Sequence, residues 1–204
     1  MDGVQDGHYR AGKFQSFQRI LETAYPHSAI RNPQSKFLPD GVSMAKSLGG
    51  GFPIGAFWVE EKFANVLSAG THASTFGGTA LACAVALKVF DVIARENVAE
   101  NARRMGDFLL GKLREVRSKF SKVVRKVRGL GLIIGIEFEP KLPALKRDEK
   151  TPAVQIVDRL HEKGVLTVPA ANSVIRLLPA LNLSKQEAEE GLRAIEQVVE
   201  ELQR

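Results

Sequence analysis

The sequence predicts an α/β protein in two parts, with residues 1–97 belonging to a larger α/β domain and residues 98–204 forming a small α+β domain. An apolar strand is expected over residues 52–59. Residues 79–95 predict a helix that is apolar nearly all round, and such a helix is buried on most sides inside a larger body. After residue 97, helices with a single apolar face alternate with short strands, as is typical of a compact α+β domain.

Local signals place the elements in order. Turn formers such as Asp6-Gly7 fill the first ~40 residues, which are expected to be irregular. Apolar residues at 3.6-residue spacing from Val98 to Phe120 predict a one-faced helix. The remaining predicted elements are strands over residues 123–127 and 132–138, a helix from the Thr151 cap to Gly164, strands over 165–168 and 174–178, and a last helix opened by the capping box Ser184–Glu187.

Composition narrows the possible functions of the 204 residues. The 44% hydrophobic and 25% charged fractions, without an apolar run near the ~20 residues that span a bilayer or a secretory signal, indicate a cytoplasmic protein. The single cysteine, Cys83, excludes an internal disulfide, and its helix predicts an inert core residue. Cations over residues 103–128 interleave with apolar residues and acids, without stacking aromatics, so nucleic-acid binding is not expected. The four histidines lack metal-ligand spacing, and no metal is expected.

Lys46 is the first candidate for chemistry. It lies in the run 44–51, among small and apolar residues, and three glycines follow at positions 49–51. A lysine ammonium removed from water loses its proton more easily and becomes an amine that can attack a carbonyl. Glycines let the backbone approach a flat ligand closely. The alternative is a solvated lysine followed by an ordinary glycine turn.

A second candidate group opens the chain. A carboxylate such as Asp2 can hold the ring nitrogen of a pyridine cofactor protonated. Val4 could pack on the face of the ring, and Gln5 could hydrogen-bond a phenolic oxygen. The alternative is an ordinary Asx turn.

Two further groups lie later in the chain. The hydroxyls of Ser74 and Thr75, just ahead of the apolar helix, suit a phosphate or carboxylate, although they or Thr79 could instead cap the helix. Arg176 stands in a wholly apolar segment. A guanidinium there must meet a carboxylate or face a wet cavity, and the alternative to substrate recognition is a structural ion pair.

Taken in order, these motifs resemble those of the class III aminotransferases, which use pyridoxal phosphate on a fold-type-I scaffold. The runs that carry the resemblance are 2–5 with 7–14, 45–51 with 53–56, 72–83, 128–132 and 176–181. Residues 1–97 would then be the C-terminal part of the large cofactor-binding domain, and residues 98–204 the small domain.

The resemblance implies a role for each candidate residue. Lys46 would bind the cofactor as a Schiff base and carry the proton of transamination. The implied contacts are Asp2 with the pyridine nitrogen, Val4 with the ring face, Gln5 with the ring oxygen, Thr75 with the cofactor phosphate across a dimer interface, Ser74 with the substrate and Arg176 with the substrate carboxylate.

The motifs are most similar to the branch of the family that acts on N-acetylornithine. This implies transfer of an amino group between N-acetylornithine and 2-oxoglutarate, in arginine biosynthesis, by a homodimer. The alternatives are another ω-amine substrate, such as ornithine or 4-aminobutyrate, and a non-catalytic fragment. The family places an N-terminal half before the aspartate motif, so this chain resembles the C-terminal half of such an enzyme.

Four places depart from the family pattern. Gly3 stands where the family usually has Glu, Thr79 where Asn is usual, and Ala180 where a second Pro is usual. Residues 23–36 resemble an insertion.

Overall fold

The chain folds into two compact units, Met1–Glu100 and Asn101–Arg204. The computed structural model describes residues 1–24, 39–74, 77–146 and 150–204. Nearly all of the predicted insertion, and the cofactor candidate Thr75, lie outside the described residues.

A short sheet organises the first unit. Strand β1 (Gly41–Met44) pairs antiparallel with β2 (Ala56–Val59). On its other edge, β1 receives Asp2, which forms a parallel bridge to Ser43. The backbone N–H of Gly3 donates to Ser43 O at 2.9 Å, and that of Ser43 donates to Met1 O at 3.1 Å. The first residues of the chain are therefore fixed alongside β1.

Three helices and two 3-10 segments precede, interrupt or follow the strands of this sheet along the chain. Helix α1 spans Ser16–Ala24 and α2 spans Ala80–Arg95, while α3 begins at Val98. The 3-10 segments are Lys46–Leu48 and Glu61–Leu67. The prediction of an irregular first 40 residues missed α1, which has no acidic residue in its first turn and no basic residue in its last. The strand predicted over 52–59 is shorter because Phe52 still belongs to the glycine turn, where its N–H donates to Gly49 O.

Helix α2 is capped as predicted, but its burial differs. Thr79 Oγ1 accepts a hydrogen bond from Ala82 N at 3.2 Å, which confirms the capping interpretation of that hydroxyl. Leu81 and Leu87 are 64% and 68% exposed, so the prediction of a helix buried on most sides does not hold for this chain. Cys83 is also exposed, and the prediction of a core cysteine is wrong. Both predictions fail for the same reason, because no described element of the first unit covers the face of α2 that carries these residues.

The second unit is an antiparallel sheet with three helices. Its strands are β3 (Val124–Leu130), β4 (Ile133–Phe138), β5 (Val168–Ala171) and β6 (Val174–Leu177), in the order β3-β4-β6-β5. Its helices are α3 (Val98–Lys119), α4 (Pro152–Glu162) and α5 (Lys185–Gln203). These elements share one continuous apolar core, whose most buried members include Met105, Leu113, Ile134, Ile156, Ile175 and Leu202.

The caps of the second unit confirm the sequence signals. Thr151 accepts from Val154 N ahead of a first-turn proline, and Ser184 and Glu187 form the complete capping box. The strand expected over 165–168 begins only at Val168. Gly164 adopts a φ of +78°, and Val165 N donates back to Leu160 O at 2.9 Å. Because residues 164 and 165 close the helix in a Schellman arrangement, they cannot start the strand.

Helix α3 approaches the β3–β4 turn through glycine. A Cβ on Gly106 would lie 2.3–2.4 Å from the backbone atoms of Gly131. Gly131 itself adopts a φ of +56°, which favours glycine. The sheet and helix can therefore pack this closely only because position 106 has no side chain.

Two substitutions on α3 test this contact. Gly106→Ala should lower the free energy of unfolding by ~1–3 kcal/mol, since the new methyl group meets backbone that cannot turn aside. Gly111→Ala is the control, because Gly111 lies on the same helix with no atom within 4 Å of its ideal Cβ. It should raise stability by ~0.5–1 kcal/mol through helix propensity. Urea unfolding followed by far-ultraviolet circular dichroism measures both, and equal effects of the two variants would contradict the close contact.

Candidate functional site

The Asp2 carboxylate is held in place beside β1. Its Oδ1 accepts a hydrogen bond from Val4 N at 2.9 Å and one from the Ser43 hydroxyl at 3.2 Å. The first contact is the Asx turn that the sequence allowed, and the second ties the carboxylate to the neighbouring strand. Asp2 remains exposed, so the fixed carboxylate is accessible to a ligand.

Lys46 begins the turn that follows β1 and has unusual backbone geometry. Its φ is +52°, a left-handed conformation that is uncommon for a side chain of this kind. Such conformations cost of order 1–3 kcal/mol and cluster at functional sites. Lys46 is exposed, so the prediction of a desolvated lysine does not hold in this chain. The small residues around it cannot cover its long side chain, and no other described element does.

The glycines after Lys46 are required by the turn. A Cβ on Gly49 would lie 2.1 Å from Phe52 O, and Gly50 and Gly51 have φ values of +56° and +111°. The N–H groups of Gly49 and Gly50 donate to Lys46 O and Ser47 O, both at 3.2 Å. The run therefore closes a tight loop and fixes the backbone that carries the lysine.

Backbone pairing places Asp2 beside Ser43, three residues before Lys46. The bridge between Asp2 and Ser43 is parallel, so both segments leave it in the same direction. Val4 and Gln5 follow Asp2, and Lys46 follows Ser43 after two residues. The carboxyl ends of parallel strands are where α/β proteins bind ligands.

The hydroxyl group ahead of α2 is only partly described. Ser74 Oγ accepts a hydrogen bond from Gly77 N at 2.8 Å, which places the hydroxyl in a local turn. Among the described residues, no hydrogen bond joins Ser74 to Asp2 or Lys46. Thr75 lies outside the described residues, and its predicted contact with a cofactor phosphate stays a prediction.

Arg176 lies on β6 of the second unit, opposite Gly135 of β4 and Val168 of β5. Its Nε is buried without a hydrogen-bond partner. Across the described ranges, Arg176 also forms no ion pair, so the structural pair considered from the sequence is not found there. A buried guanidinium nitrogen without a partner is costly, and no carboxylate of the described residues pairs with Arg176.

Two buried polar residues shortly after Asp2 in sequence were not predicted. His8, with a φ of +50°, packs edge-on against Phe14 at a centroid distance of 5.4 Å, and both of its ring nitrogens lack a partner. Gln15 is 3% exposed, and its amide also lacks a partner. No sequence signal marks either residue, because their burial depends on how the loop folds back on itself.

The described part of the chain shows neither a metal-binding cluster nor a membrane-spanning helix. There, no group of three or more His, Cys, Asp or Glu side chains is placed to hold a metal ion. Within the same residues, no helix combines the length and apolar character that a membrane crossing needs.

Comparison with known proteins gives a consistent set of matches. Residues 29–199 match the family described as class-III aminotransferase. The mitochondrial acetylornithine aminotransferase of Saccharomyces cerevisiae is 33% identical over 98% of this chain and 41% of the relative. Ornithine aminotransferase PY00104 of Plasmodium yoelii matches with a TM-score of 0.80 at 29% identity, over 98% of this chain and 47% of that one.

A third match bears on the cofactor. The ornithine aminotransferase of Toxoplasma gondii, described with partial occupancy of PLP at its active site, matches with a TM-score of 0.78 at 28% identity. It covers 100% of this chain and 44% of that one. The chain thus spans less than half the length of each of these proteins.

His8 makes the stability of the first unit depend on pH. Burial lowers the pKa of His8 below its ordinary value of 6.5, so the unfolded chain binds this proton more tightly than the folded one. The contribution to stability should be complete above pH 6.5 and should decline as the pH falls through 6.5 towards the folded-state pKa. Fluorescence of Trp58, the single tryptophan, reports on urea unfolding of this unit.

His8→Phe should remove this part of the pH dependence. His72→Gln is the control, because His72 is exposed and its replacement should leave the pH dependence unchanged. If the free energy of unfolding changes with pH to the same extent in the wild-type chain and in His8→Phe, His8 is not buried as described.

Proposed function

This chain belongs to the class III aminotransferases, which depend on pyridoxal phosphate, and from that premise we propose that Asp2, Val4, Gln5 and Lys46 form the cofactor-binding part of an aminotransferase site. The comparisons confirm the family and the α/β fold class that the sequence predicted. The observation that carries the proposal is the parallel bridge between Asp2 and Ser43. It fixes a carboxylate beside Ser43, three residues before the lysine in sequence.

The donor set suits the chemistry of this cofactor. Asp2 offers a carboxylate for a pyridine nitrogen, Gln5 offers an amide for the ring oxygen, and the exposed amine of Lys46 can reach an aldehyde. Val4, half-buried behind Asp2, offers an apolar surface to the ring. Thr75 is proposed to hold the phosphate of a cofactor bound in the partner subunit of a homodimer, with Ser74 beside the substrate.

The chain's own residues supply the proton handling. When bound, the cofactor supplies an electron sink that weakens the bond to the substrate proton. Lys46 accepts that proton and returns it at a neighbouring position, as a general base and acid. The tight glycine loop holds the lysine backbone while its side chain moves. The negative charge of Asp2 would favour the protonated form of the ring nitrogen, and hydrogen bonds from Val4 N and Ser43 Oγ fix the position of its carboxylate.

The proposed reaction is transfer of an amino group between N-acetylornithine and 2-oxoglutarate, a step of arginine biosynthesis. The name of the Saccharomyces cerevisiae relative supports N-acetylornithine, while the Plasmodium yoelii protein favours ornithine as the second candidate. Arg176 is proposed to receive a substrate carboxylate, supported by its unpartnered Nε. A cytoplasmic location stays a prediction, because a relative with the same activity in its name is mitochondrial.

The chain is proposed to represent only part of an aminotransferase. Residues 1–97 are proposed to be the C-terminal part of the large domain and residues 98–204 the small domain. Since the chain spans 41–47% of the proteins compared above, a fragment without activity of its own is the alternative.

Covalent labelling tests the role of Lys46. The full chain is incubated with stoichiometric pyridoxal phosphate, reduced with borohydride, digested and mapped by mass spectrometry. The label should lie on Lys46, because a cofactor whose ring nitrogen pairs with Asp2 would present its aldehyde to that amine in the proposed site. Lys46→Ala should abolish it. Lys62→Ala is the control, since the Lys62 ammonium is held by Asp40 at 2.9 Å and Glu60 at 2.7 Å. A label that maps to Lys13 or Lys62 would show the assignment to be wrong.

Steady-state kinetics of transamination test the role of Arg176. Arg176→Lys should raise the KM for 2-oxoglutarate by about tenfold or more, because an ammonium cannot form the bidentate pair of a guanidinium with a carboxylate. The melting temperature should change little, since no ion pair of the described structure is lost. Arg128→Lys is the matched control. Because Arg128 already forms an ion pair with Glu137 at 2.9 Å, the KM of this variant for 2-oxoglutarate should stay unchanged. A lowered melting temperature with an unchanged KM would make Arg176 a structural residue.

A further inference from the structure

The side chain of Gln15 occupies the space that a side chain on Gly3 would need. An ideal Cβ built on Gly3 would lie 2.3 Å from Gln15 Oε1 and 3.2 Å from its Cδ. Gly3 is the residue directly after Asp2, and its own N–H is the donor to Ser43 O. The end of the Gln15 side chain therefore lies directly against the Gly3 backbone, next to the residue whose carboxylate is proposed to bind the cofactor.

The same side chain also reaches Gly7. We call residues 2–7 the Asp2 turn; it is closed by the Gly7 N–H, which donates to Gly3 O at 3.2 Å. An ideal Cβ on Gly7 would lie 2.9 Å from Gln15 Oε1, but only 2.5 Å from Gly3 O. Gln15 thus lies against both glycines of the Asp2 turn, while the clash at Gly7 is chiefly with backbone.

The backbone of Gln15 is held by hydrogen bonds, and its side chain is buried. It is 3% exposed, and its N–H donates to Gln18 Oε1 at 2.9 Å. The next residue, Ser16, donates a hydrogen bond from its hydroxyl to the carboxylate of Asp6, within the Asp2 turn. The Gln15 amide itself forms no hydrogen bond in the described structure. Its contribution is therefore one of volume, since a buried amide without a partner lowers stability.

We propose that Gln15 is a positioning residue, which acts as a wedge against Gly3 and Gly7 and fixes the Asp2 turn so that the Asp2 carboxylate is presented to the cofactor. This inference rests on the proposed function. Glycine is the most flexible residue in the chain, and a turn with glycine at positions 3 and 7 needs packing from outside to keep one conformation. Gln15 supplies that packing.

The wedge also accounts for a departure from the family pattern. Gly3 stands where the family usually has Glu, and no side chain at position 3 can coexist with Gln15 in its present place. The side-chain volume beside the Asp2 turn comes from position 15 instead of position 3. The two residues are therefore coupled, and a change at one should be tolerated only with a change at the other.

A double-mutant cycle tests the coupling in the full chain. Gly3→Ala should lower the urea midpoint of the Trp58 fluorescence transition, and Gln15→Ala should lower it by leaving a cavity. The double variant should recover part of the loss, because the methyl group enters the vacated space, while its 3.1 Å approach to Ser43 O remains. Gly7→Ala is the matched control. Its clash is with Gly3 O, so Gln15→Ala should not rescue it. Additive losses at positions 3 and 15 would overturn the coupling.

Hydrogen exchange and cofactor titration separate positioning from simple stability. Gln15→Ala should make the Gly3 and Gly7 amides exchange several-fold faster, and should move the pH midpoint of the bound pyridoxal phosphate absorbance by roughly one unit as Asp2 loosens. Gln15→Met keeps the volume without the amide and should preserve both. Ile93→Ala is the control, because Ile93 is a buried residue of α2 outside residues 2–7; it should lower the urea midpoint and leave the pH midpoint unchanged.

Each outcome decides between the hypotheses. If Gln15→Ala does not fold, Gln15→Asn, which is shorter by one methylene, should show the same shifts to a smaller degree. If the stability effects of Gly3→Ala and Gln15→Ala are coupled but Gln15→Ala leaves the pH midpoint of the cofactor absorbance unchanged, Gln15 is a structural residue. That result would overturn the positioning role. Suppose that Lys46 is labelled normally in the wild-type chain, but that the Gly3 and Gly7 amides exchange equally fast in the wild-type chain and in Gln15→Ala. That result would overturn the wedge and leave the proposed function intact. A wild-type chain that takes up no pyridoxal phosphate would remove the proposed function, and the positioning role with it.

Discussion

The parallel pairing of the first residues with β1 is the constraint on which the candidate site depends. Two backbone hydrogen bonds, from Gly3 N to Ser43 O and from Ser43 N to Met1 O, bring together segments about forty residues apart in sequence. Without them, Asp2 would be a carboxylate on a loose terminus and Lys46 one exposed amine among many. With them, Asp2 is fixed beside Ser43, three residues before Lys46, on backbone that turns and glycines fix. The chemistry proposed here follows from that register.

The two units differ in how completely they bury their apolar side chains. The second unit closes a core around its sheet, and its helix ends are satisfied by Thr151, Ser184 and the Schellman arrangement after α4. In the first unit, Phe57 and Trp58 on β2 and Leu81 on α2 remain 58%, 44% and 64% exposed. The candidate cofactor residues are thus located in the unit with the open apolar surface, whereas Arg176 lies in the unit with the closed core.

Local signals were sufficient wherever a structure depends on neighbours in sequence. The cap at Thr79, the capping box at Ser184 and the glycine turn after Lys46 could all be predicted, because each is set within four or five residues. The exposure of Cys83 and Lys46 could not, since burial depends on which elements cover them. Gln15 could not be found either. Its role depends on a close approach to Gly3 across a folded loop, and a glutamine before a short helix has no pattern that indicates this.

The left-handed backbone at Lys46 has a consequence for how the protein would change over generations. A lysine at a φ of +52° is held there at a cost that glycine would not incur, and the difference is of order 1–2 kcal/mol. Folding alone therefore favours loss of the lysine, and only selection for its amine opposes that loss. The glycines beside it are under the opposite pressure, because the turn itself needs them. In a lineage released from selection for activity, position 46 should drift towards glycine or asparagine while positions 49–51 stay constant, so sequence variation at this loop would record whether the chemistry is still in use.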